Sequence, residues 1–134
     1  SWVMGVCNDV GEWPRAIGGL TSHGFGDGEL VVVDDGSTDG YGEMLDRLAE
    51  EDSRIRVIHQ ENAGLTQALM TGCRAAVGSF IARQDADDWS QPDRLAEQVA
   101  YLDAHPEVGF VSCWTNYIGP RDELLDTLER PGDP

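Results

Sequence analysis

Leu30-Val31-Val32-Val33-Asp34-Asp35-Gly36-Ser37-Thr38-Asp39 is the stretch whose reading decides the fold. A short β-branched run with no polar alternation suits a strand buried on both faces, the habit of a parallel sheet covered by helices. It breaks off into an acidic loop. After that loop, Tyr41, Met44, Leu45 and Leu48 recur at i, i+3, i+4 and i+7, one face of an amphipathic helix, with Ser37, Thr38 and Asp39 all available as caps. Strand, loop and helix make one βα unit, and the pattern repeats along the chain.

Upstream, Trp2 to Cys7 reads as a first strand, and Trp13, Ile17 and Leu20 share one helical face, with Pro14 near its start and Gly24 near its end. Downstream, Ile55 to Ile58 reads as a third strand that leads through Asn62-Ala63-Gly64 into a helix around Leu65, Leu69 and Cys73, ended by Gly78. Ser79 to Arg83 reads as a fourth strand, again ending in carboxylates, Asp85-Ala86-Asp87-Asp88. Ser90-Gln91-Pro92-Asp93 resembles a capping box and opens a helix along Leu95, Val99 and Leu102. Val108 to Trp114 reads as a fifth strand, and beyond Gly119-Pro120 the pattern weakens. This alternation predicts an α/β fold, a mostly parallel sheet flanked by helices, with no internal repeat.

Composition narrows the partners. The 134 residues carry a net charge of −16, and all nine cations are Arg. Neutralising nucleic-acid phosphates or an anionic membrane surface needs a basic face, so neither is expected as a partner. The absence of Lys from the sequence removes a Walker-type lysine, a Schiff base and the lysine of phospho-aspartate sites. No stretch approaches the roughly 20 apolar residues of a membrane span, and the first residues lack a cationic segment before an apolar one, so a soluble, cytoplasmic chain is expected. Cys7, Cys73 and Cys113 lack metal spacing and read as reduced core thiols. His23, His59 and His105 are isolated and read as surface or helix-end residues. Trp13, Tyr101 and Trp114 are assigned to the core, Trp89 to either a pocket wall or the core, and Gly24-Phe25-Gly26-Asp27-Gly28 to a turn.

In an open parallel sheet, ligands bind outside the carboxyl ends of the strands, so acidic clusters after two strands can share one crevice. Clustered carboxylates repel one another and persist where a cation compensates them. Mg²⁺ and Mn²⁺ commonly take one or two protein carboxylates and complete their shells with water and substrate phosphates, a supply that Asp85 and Asp87 match. Asp39 and Asp93 read as helix caps. Arg83 and Arg94 flank the acidic loop, where a guanidinium either pairs with Asp85 or Asp88, the favoured reading, or helps hold a diphosphate.

Four blocks now stand in order: Val31 to Asp39, Glu61-Asn62-Ala63-Gly64-Leu65, Ala82-Arg83-Gln84-Asp85-Ala86-Asp87-Asp88 and Pro92-Asp93-Arg94-Leu95. Together, over Trp2 to about Trp114, they resemble the nucleotide-sugar-binding half of a family 2 glycosyltransferase of the GT-A (Rossmann-like) fold. The resemblance implies that Val6, Cys7 and Asn8 carry the first strand to the nucleotide, that Asp35 accepts the N–H of the base, and that Asn62 belongs to the donor site. It makes Asp85-Ala86-Asp87 the DXD motif, with Asp87 holding Mn²⁺ or Mg²⁺ on the diphosphate and Asp85 reaching the ribose or the shell of the metal. Gly5 and Cys7 stand where the family usually has a proline and an aromatic residue.

The implied reaction is inverting transfer of a sugar from a nucleotide-diphosphate donor, UDP-linked by preference, to a hydroxyl acceptor, in cell-envelope or polysaccharide synthesis. Residues 1–115 would form the donor half, and 116–134 the start of a connection to an acceptor-binding half. No general base is identified in this chain; the resemblance expects it beyond Pro134, so that the chain alone binds donor without turnover, and the full-length protein works in the cytoplasm or at the inner face of the membrane. Other readings are a non-catalytic GT-A-like interaction module and a phospho-aspartate receiver, the latter opposed by the absent lysine. A dehalogenase-like phosphatase also wants a lysine, and a hydroxyl residue where Trp89 stands.

Overall fold

The computed structural model describes residues 1–8 and 28–129. The expected helix through Trp13, Ile17 and Leu20 lies outside the described residues, as do His23, most of the Gly24–Gly28 turn and the Pro131–Pro134 tail. The chain divides into two units, Ser1–Leu95 and Ala96–Pro134.

The first unit is built on a four-stranded sheet in the order β3-β2-β1-β4. Its strands are β1 (Trp2–Val6), β2 (Leu30–Asp35), β3 (Ile55–Gln60) and β4 (Ala82–Arg83). All three pairings are parallel, with Trp2 opposite both Leu30 and Ala82, and Leu30 opposite Ile55. Helices α1 (Tyr41–Glu51), α2 (Leu65–Ala75) and α3 (Arg94–Ala104) follow β2, β3 and β4. The mostly parallel α/β sheet expected from the alternation is therefore present.

Successive residues of a strand point to opposite faces, and the core divides accordingly. Trp2, Met4, Val6, Leu30 and Val32 pack with Tyr41, Leu45, Ile55 and Ala86. Val3, Val31 and Val33 pack with Ala68 of α2. Every residue of β2 is buried, which is why its sequence shows no polar alternation. Gly72 lets α2 lie close on the sheet, because a Cβ there would stand 2.5 Å from Cγ1 of Val3.

Several expectations are corrected. Strand β4 is limited to two residues, Ala82 and Arg83, which stand in register with Trp2 and Val3 of β1. The segment Val108 to Trp114 is not a strand; apolar β-formers without a partner backbone make no ladder. The second unit instead holds an antiparallel hairpin of β5 (Thr115–Ile118) and β6 (Leu124–Leu128). Its turn is closed by the Gly119 N–H on the Glu123 carbonyl at 2.8 Å, with Asp122 at φ 61°. Trp114 and Tyr101 are 61% and 42% exposed and so are not core residues. Tyr101 instead stacks on His105 at the end of α3, with ring centroids 4.1 Å apart. The three cysteines are free, as expected, but exposed: Cys7 lies just past the end of β1, Cys73 turns away from the sheet after the inward-facing Gly72, and Cys113 lies in the unpaired segment before β5. No helix among the described residues is long and apolar enough to cross a membrane.

Candidate functional site

Four parallel strands bring their carboxyl ends to one edge of the sheet. The chain runs outward from β1 through β2 to β3 and then returns to β4 on the other side of β1. The carboxyl ends of β1 and β4 therefore stand side by side at a topological switch point, where open α/β sheets form their ligand crevice.

One side of this edge is a hydrogen-bonded cluster. Asn8 adopts a left-handed backbone at φ 51°, which Asn tolerates. In that conformation its N–H donates to Ser37 Oγ at 3.0 Å, and its Oδ1 accepts the Thr38 N–H at 2.8 Å. These contacts engage two of the three residues expected to cap α1. The third, Asp39, accepts the Tyr41 N–H at 3.1 Å, while Gly40 occupies the cap position itself. Asn62 Nδ2 donates to the Asp35 carbonyl at 2.9 Å and to Cys7 Sγ at 3.3 Å. Gly36, at φ 77°, makes that approach possible, because a Cβ there would stand 2.8 Å from the Asn62 nitrogen.

Asp35 is the centre of this cluster and only 3% exposed. Its Oδ1 accepts the Ala63 N–H at 2.9 Å and Gln60 Nε2 at 2.7 Å, and its Oδ2 accepts the Gly64 N–H at 2.8 Å. The Ala63 N–H, then Gln60, hold the carboxyl below its ordinary range, so it is ionised at neutral pH. With two lone pairs on each oxygen, the donors among the described residues fill Oδ1 and leave Oδ2 one acceptor position.

Its neighbour Asp34 is also buried. Burial pushes the Asp34 carboxyl up, but hydrogen bonds from Ser37 and His59 outweigh it and the net direction is down. His59 stands between two carboxylates, with Nδ1 2.9 Å from Asp34 Oδ2 and Nε2 2.9 Å from Asp46 Oδ1. Asp46 and then Asp34 raise its pKa, since an imidazole donates from both nitrogens only when protonated.

Across β1 lies the acidic turn. The Gln84 N–H extends the sheet onto the Val3 carbonyl at 3.1 Å, and the Asp88 N–H closes on the Asp85 carbonyl at 3.2 Å. Ala86 is buried in the core and pins the middle of the turn, while Asp87 and Asp88 are exposed. Burial, then the charges of Asp85 and Asp87, raise the Asp88 carboxyl, the signature of like charges crowded together. Arg83 pairs with Asp85 as expected, Nε to Oδ1 at 3.0 Å and Nη2 to Oδ2 at 2.8 Å. Arg94 does not join them. It donates to Gln84 Oε1, Ser90 Oγ and the Arg83 carbonyl, at 3.1, 2.8 and 3.2 Å, and lies over the Trp2 ring, 5.4 Å from its centroid. Ser90 is likewise drawn away from capping α3: its hydroxyl donates to Gln84 Oε1 at 2.6 Å, because a buried amide needs partners.

Cys7, Asn8, Asp35 and Asn62 are thus brought into one cluster, and Asp85 and Asp87 into a separate loop one strand over. Val6 and Ala86 bury their side chains in the core, leaving only backbone for a ligand. Gln60 and Gln84 do not stand out in the sequence, because each follows another polar residue, His59 or Arg83, at the end of its strand. Among the described residues no group of three His, Cys, Asp or Glu forms a metal cage. The donor set of Asp85 and Asp87 nevertheless fits a hard divalent ion that completes its shell with phosphate and water.

The chain matches the family model described as "Glycosyl transferase family 2" over residues 1–130. It is 44% identical over 128 residues to the uncharacterized glycosyltransferase EpsJ of Bacillus subtilis, covering 87% of this chain and 36% of that protein. It is 48% identical over 65 residues to the glycosyltransferase GlyA of Streptococcus pneumoniae, covering 48% of this chain and 9% of that protein. Among solved structures, the mannosyltransferase PcManGT from Pyrobaculum calidifontis, in complex with GDP-Man and Mn²⁺, superimposes with a TM-score of 0.75 at 31% identity, covering 90% of this chain and 36% of that one. TarS 1-349 of S. aureus in complex with UDP-GlcNAc gives a TM-score of 0.65 at 22% identity, over 78% of this chain and 32% of that one, a likeness of fold. The chain thus spans about a third or less of the relatives and structures it matches. With the sheet order, the acidic turn and these matches in agreement, the chain belongs to glycosyl transferase family 2.

Proposed function

We propose that this chain is the donor-binding part of an inverting glycosyltransferase that takes a sugar from a nucleotide-diphosphate donor, UDP-linked by preference, to a hydroxyl acceptor with Mn²⁺ or Mg²⁺. The observation that carries the reading is the Asp35 carboxylate, ionised, held by three donors and left with one acceptor position at the carboxyl edge of the sheet. A carboxylate so placed accepts the imide N–H of uracil; guanine also presents a ring N–H, which makes GDP the necessary control. In this reading Val6, Cys7, Asn8 and Asn62 line the nucleoside side, and Asp85, Ala86 and Asp87 the diphosphate side. Asp87 would hold the divalent ion, with Asp85 on the ribose or the ion's water shell, and the ion would supply positive charge against that of the departing nucleoside diphosphate. The complex of PcManGT with GDP-Man and Mn²⁺, at 31% identity, supports both the donor class and the metal.

None of the described residues is assigned the general-base role. Residues 1–115 make up the donor half in this proposal. The cytoplasmic location belongs to it as well, and the free cysteines suit a reducing compartment. The product class, an envelope polysaccharide or related polymer, rests on the family resemblance alone.

Calorimetric titration of UDP, GDP and ADP, with and without Mn²⁺, into the chain and into Asp87→Asn tests the proposal. Binding of UDP that Mn²⁺ strengthens, and that loses this strengthening in Asp87→Asn, is the expected result. Equal binding of all three nucleotides, or metal-dependent binding that survives the substitution, would overturn it.

A further inference from the structure

We propose that Gln84 is a positioning residue that clamps the Asp85–Asp88 turn from beneath and holds its carboxylates at the spacing a divalent ion needs. The inference rests on the donor-site reading above, and goes beyond it in assigning a role to a side chain that reaches no ligand.

Gln84 is 2% exposed. A buried primary amide is costly unless both of its ends are satisfied. Nε2 donates to the Asp85 carbonyl at 3.1 Å and to the Asp88 carbonyl at 2.8 Å, using both of its hydrogens. Oε1 accepts the Ser90 hydroxyl at 2.6 Å and Arg94 Nη1 at 3.1 Å, filling both of its lone pairs. The orientation of the amide is fixed by these partners, since a flip would set its oxygen against two carbonyls and its NH₂ against the guanidinium.

The two carbonyls that it holds bracket Ala86 and Asp87. Their spacing is therefore set by one rigid planar group. That group is itself braced by Arg94, which donates to Ser90 Oγ and the Arg83 carbonyl and lies over the Trp2 ring. The turn needs such a brace because it carries Asp85, Asp87 and Asp88 within four residues, and the Arg83 guanidinium pairs with Asp85 alone, so like charges still crowd the turn. With the clamp, the cost of ordering the turn falls on folding and not on metal binding, as with partners that orient metal ligands elsewhere.

Three variants separate the parts of the clamp. Gln84→Glu keeps an acceptor for Ser90 and Arg94 but turns an oxygen toward the two carbonyls; Gln84→Met removes both ends; Ser90→Ala removes one donor from the far side. Each is read for UDP affinity with and without Mn²⁺ and for hydrogen exchange of the Asp88 amide, followed by NMR in metal-free protein. Both Gln84 variants should lose about tenfold in the Mn²⁺-dependent part of UDP binding, the scale of outer-shell effects on metal sites. Their metal-free UDP affinity should stay within about twofold, and the Asp88 amide should exchange faster, because its turn opens more often. Ser90→Ala should move the same two readouts in the same direction by less.

Wild-type Mn²⁺ dependence together with unchanged Asp88 exchange in Gln84→Met overturns the inference. If that variant shows no cooperative melt, unchanged readouts in Ser90→Ala overturn it instead. Failure of the donor-site reading shows differently, as wild-type protein with no Mn²⁺-dependent UDP binding; the Asp88 exchange, which needs no ligand, then still decides whether Gln84 holds the turn.

Discussion

Oδ2 of Asp35 accepts the Gly64 N–H at 2.8 Å and so ties the carboxyl end of β2 to the turn that opens α2. The backbone N–H groups of Ala63 and Gly64 and the Gln60 amide all point at one carboxylate. Asp35 thereby shapes the loop and presents a charged acceptor at the sheet edge.

Asp35→Asn should therefore damage both roles. Its amide can keep an oxygen toward Ala63 and Gln60 only by turning NH₂ toward the Gly64 N–H, donor against donor. The remaining acceptor position becomes a donor, and UDP affinity should fall on the order of tenfold or more. Titration calorimetry with the variant measures this; unchanged UDP affinity would contradict the assignment of Asp35 to the base.

Gly36→Ala should lose about 2 kcal/mol or more, since an alanine at φ 77° is strained and its Cβ would meet the Asn62 backbone nitrogen. That nitrogen belongs to the chain and cannot swing aside as a side chain would. Urea denaturation gives the loss, and UDP binding should weaken with it as Asn62 is pushed from the Asp35 carbonyl.

At Gly72 two effects oppose. Alanine gains about 1 kcal/mol in helix propensity over glycine, whereas forcing a methyl into a packed core costs about 1–3 kcal/mol. The Cβ would stand 2.5 Å from Cγ1 of Val3 and 3.3 Å from Cγ2 of Val33, so the steric effect should prevail and Gly72→Ala should be less stable. Combining it with Val3→Ala should recover part of the loss, and a double-mutant cycle by chemical denaturation would reveal that coupling.

His59 gives a pH signature. Its pKa is raised above 6.5 by Asp46 and then Asp34, so its contribution is complete below pH 6.5 and is lost as pH rises through the raised value. Asp34, lowered below 3.8, contributes above 3.8 and loses that contribution as pH falls through its folded value. The contact between His59 and Asp34 should thus be strongest between pH 3.8 and 6.5. Because the His59 side chain is 47% exposed, the stability difference from His59→Ala should not exceed about 1 kcal/mol. Denaturation of both proteins from within this range to well above pH 6.5 should show a steady difference up to 6.5 that then shrinks toward alkaline pH.

The parts legible from the chain alone were those governed by near neighbours. Val31, Val32 and Val33 announce a buried strand because that strand has apolar layers on both faces, and Tyr41 and Leu45 announce the helix whose face they bury. Asp35 and the Asp85–Asp87 turn stand out because a carboxylate run directly after an apolar strand needs a reason. Val108 to Trp114 misled for a related cause: β-propensity is local, whereas a strand requires a partner, and the pairing went to Thr115–Ile118 with Leu124–Leu128 across a turn at Gly119. Cys73 misled because an apolar residue type does not say which side of its helix meets the sheet, and Cys7 and Cys113 because they fall outside any strand or helix.

The sequence by itself determined the α/β alternation, the acidic loops after β2 and β4 and the family, since periodicity and motif spacing survive without coordinates. Only the tertiary structure decided that β4 lies beside β1, that Asp35 keeps an acceptor position with no donor among the described residues, and that Gln84 is buried beneath the acidic turn. The reason is distance along the chain. The partners of Asp35 sit 25 to 29 residues away, and Arg94 reaches Gln84 from 10. Which hydrogen bonds such residues make depends on where the intervening helices set them down, and no local pattern carries that information.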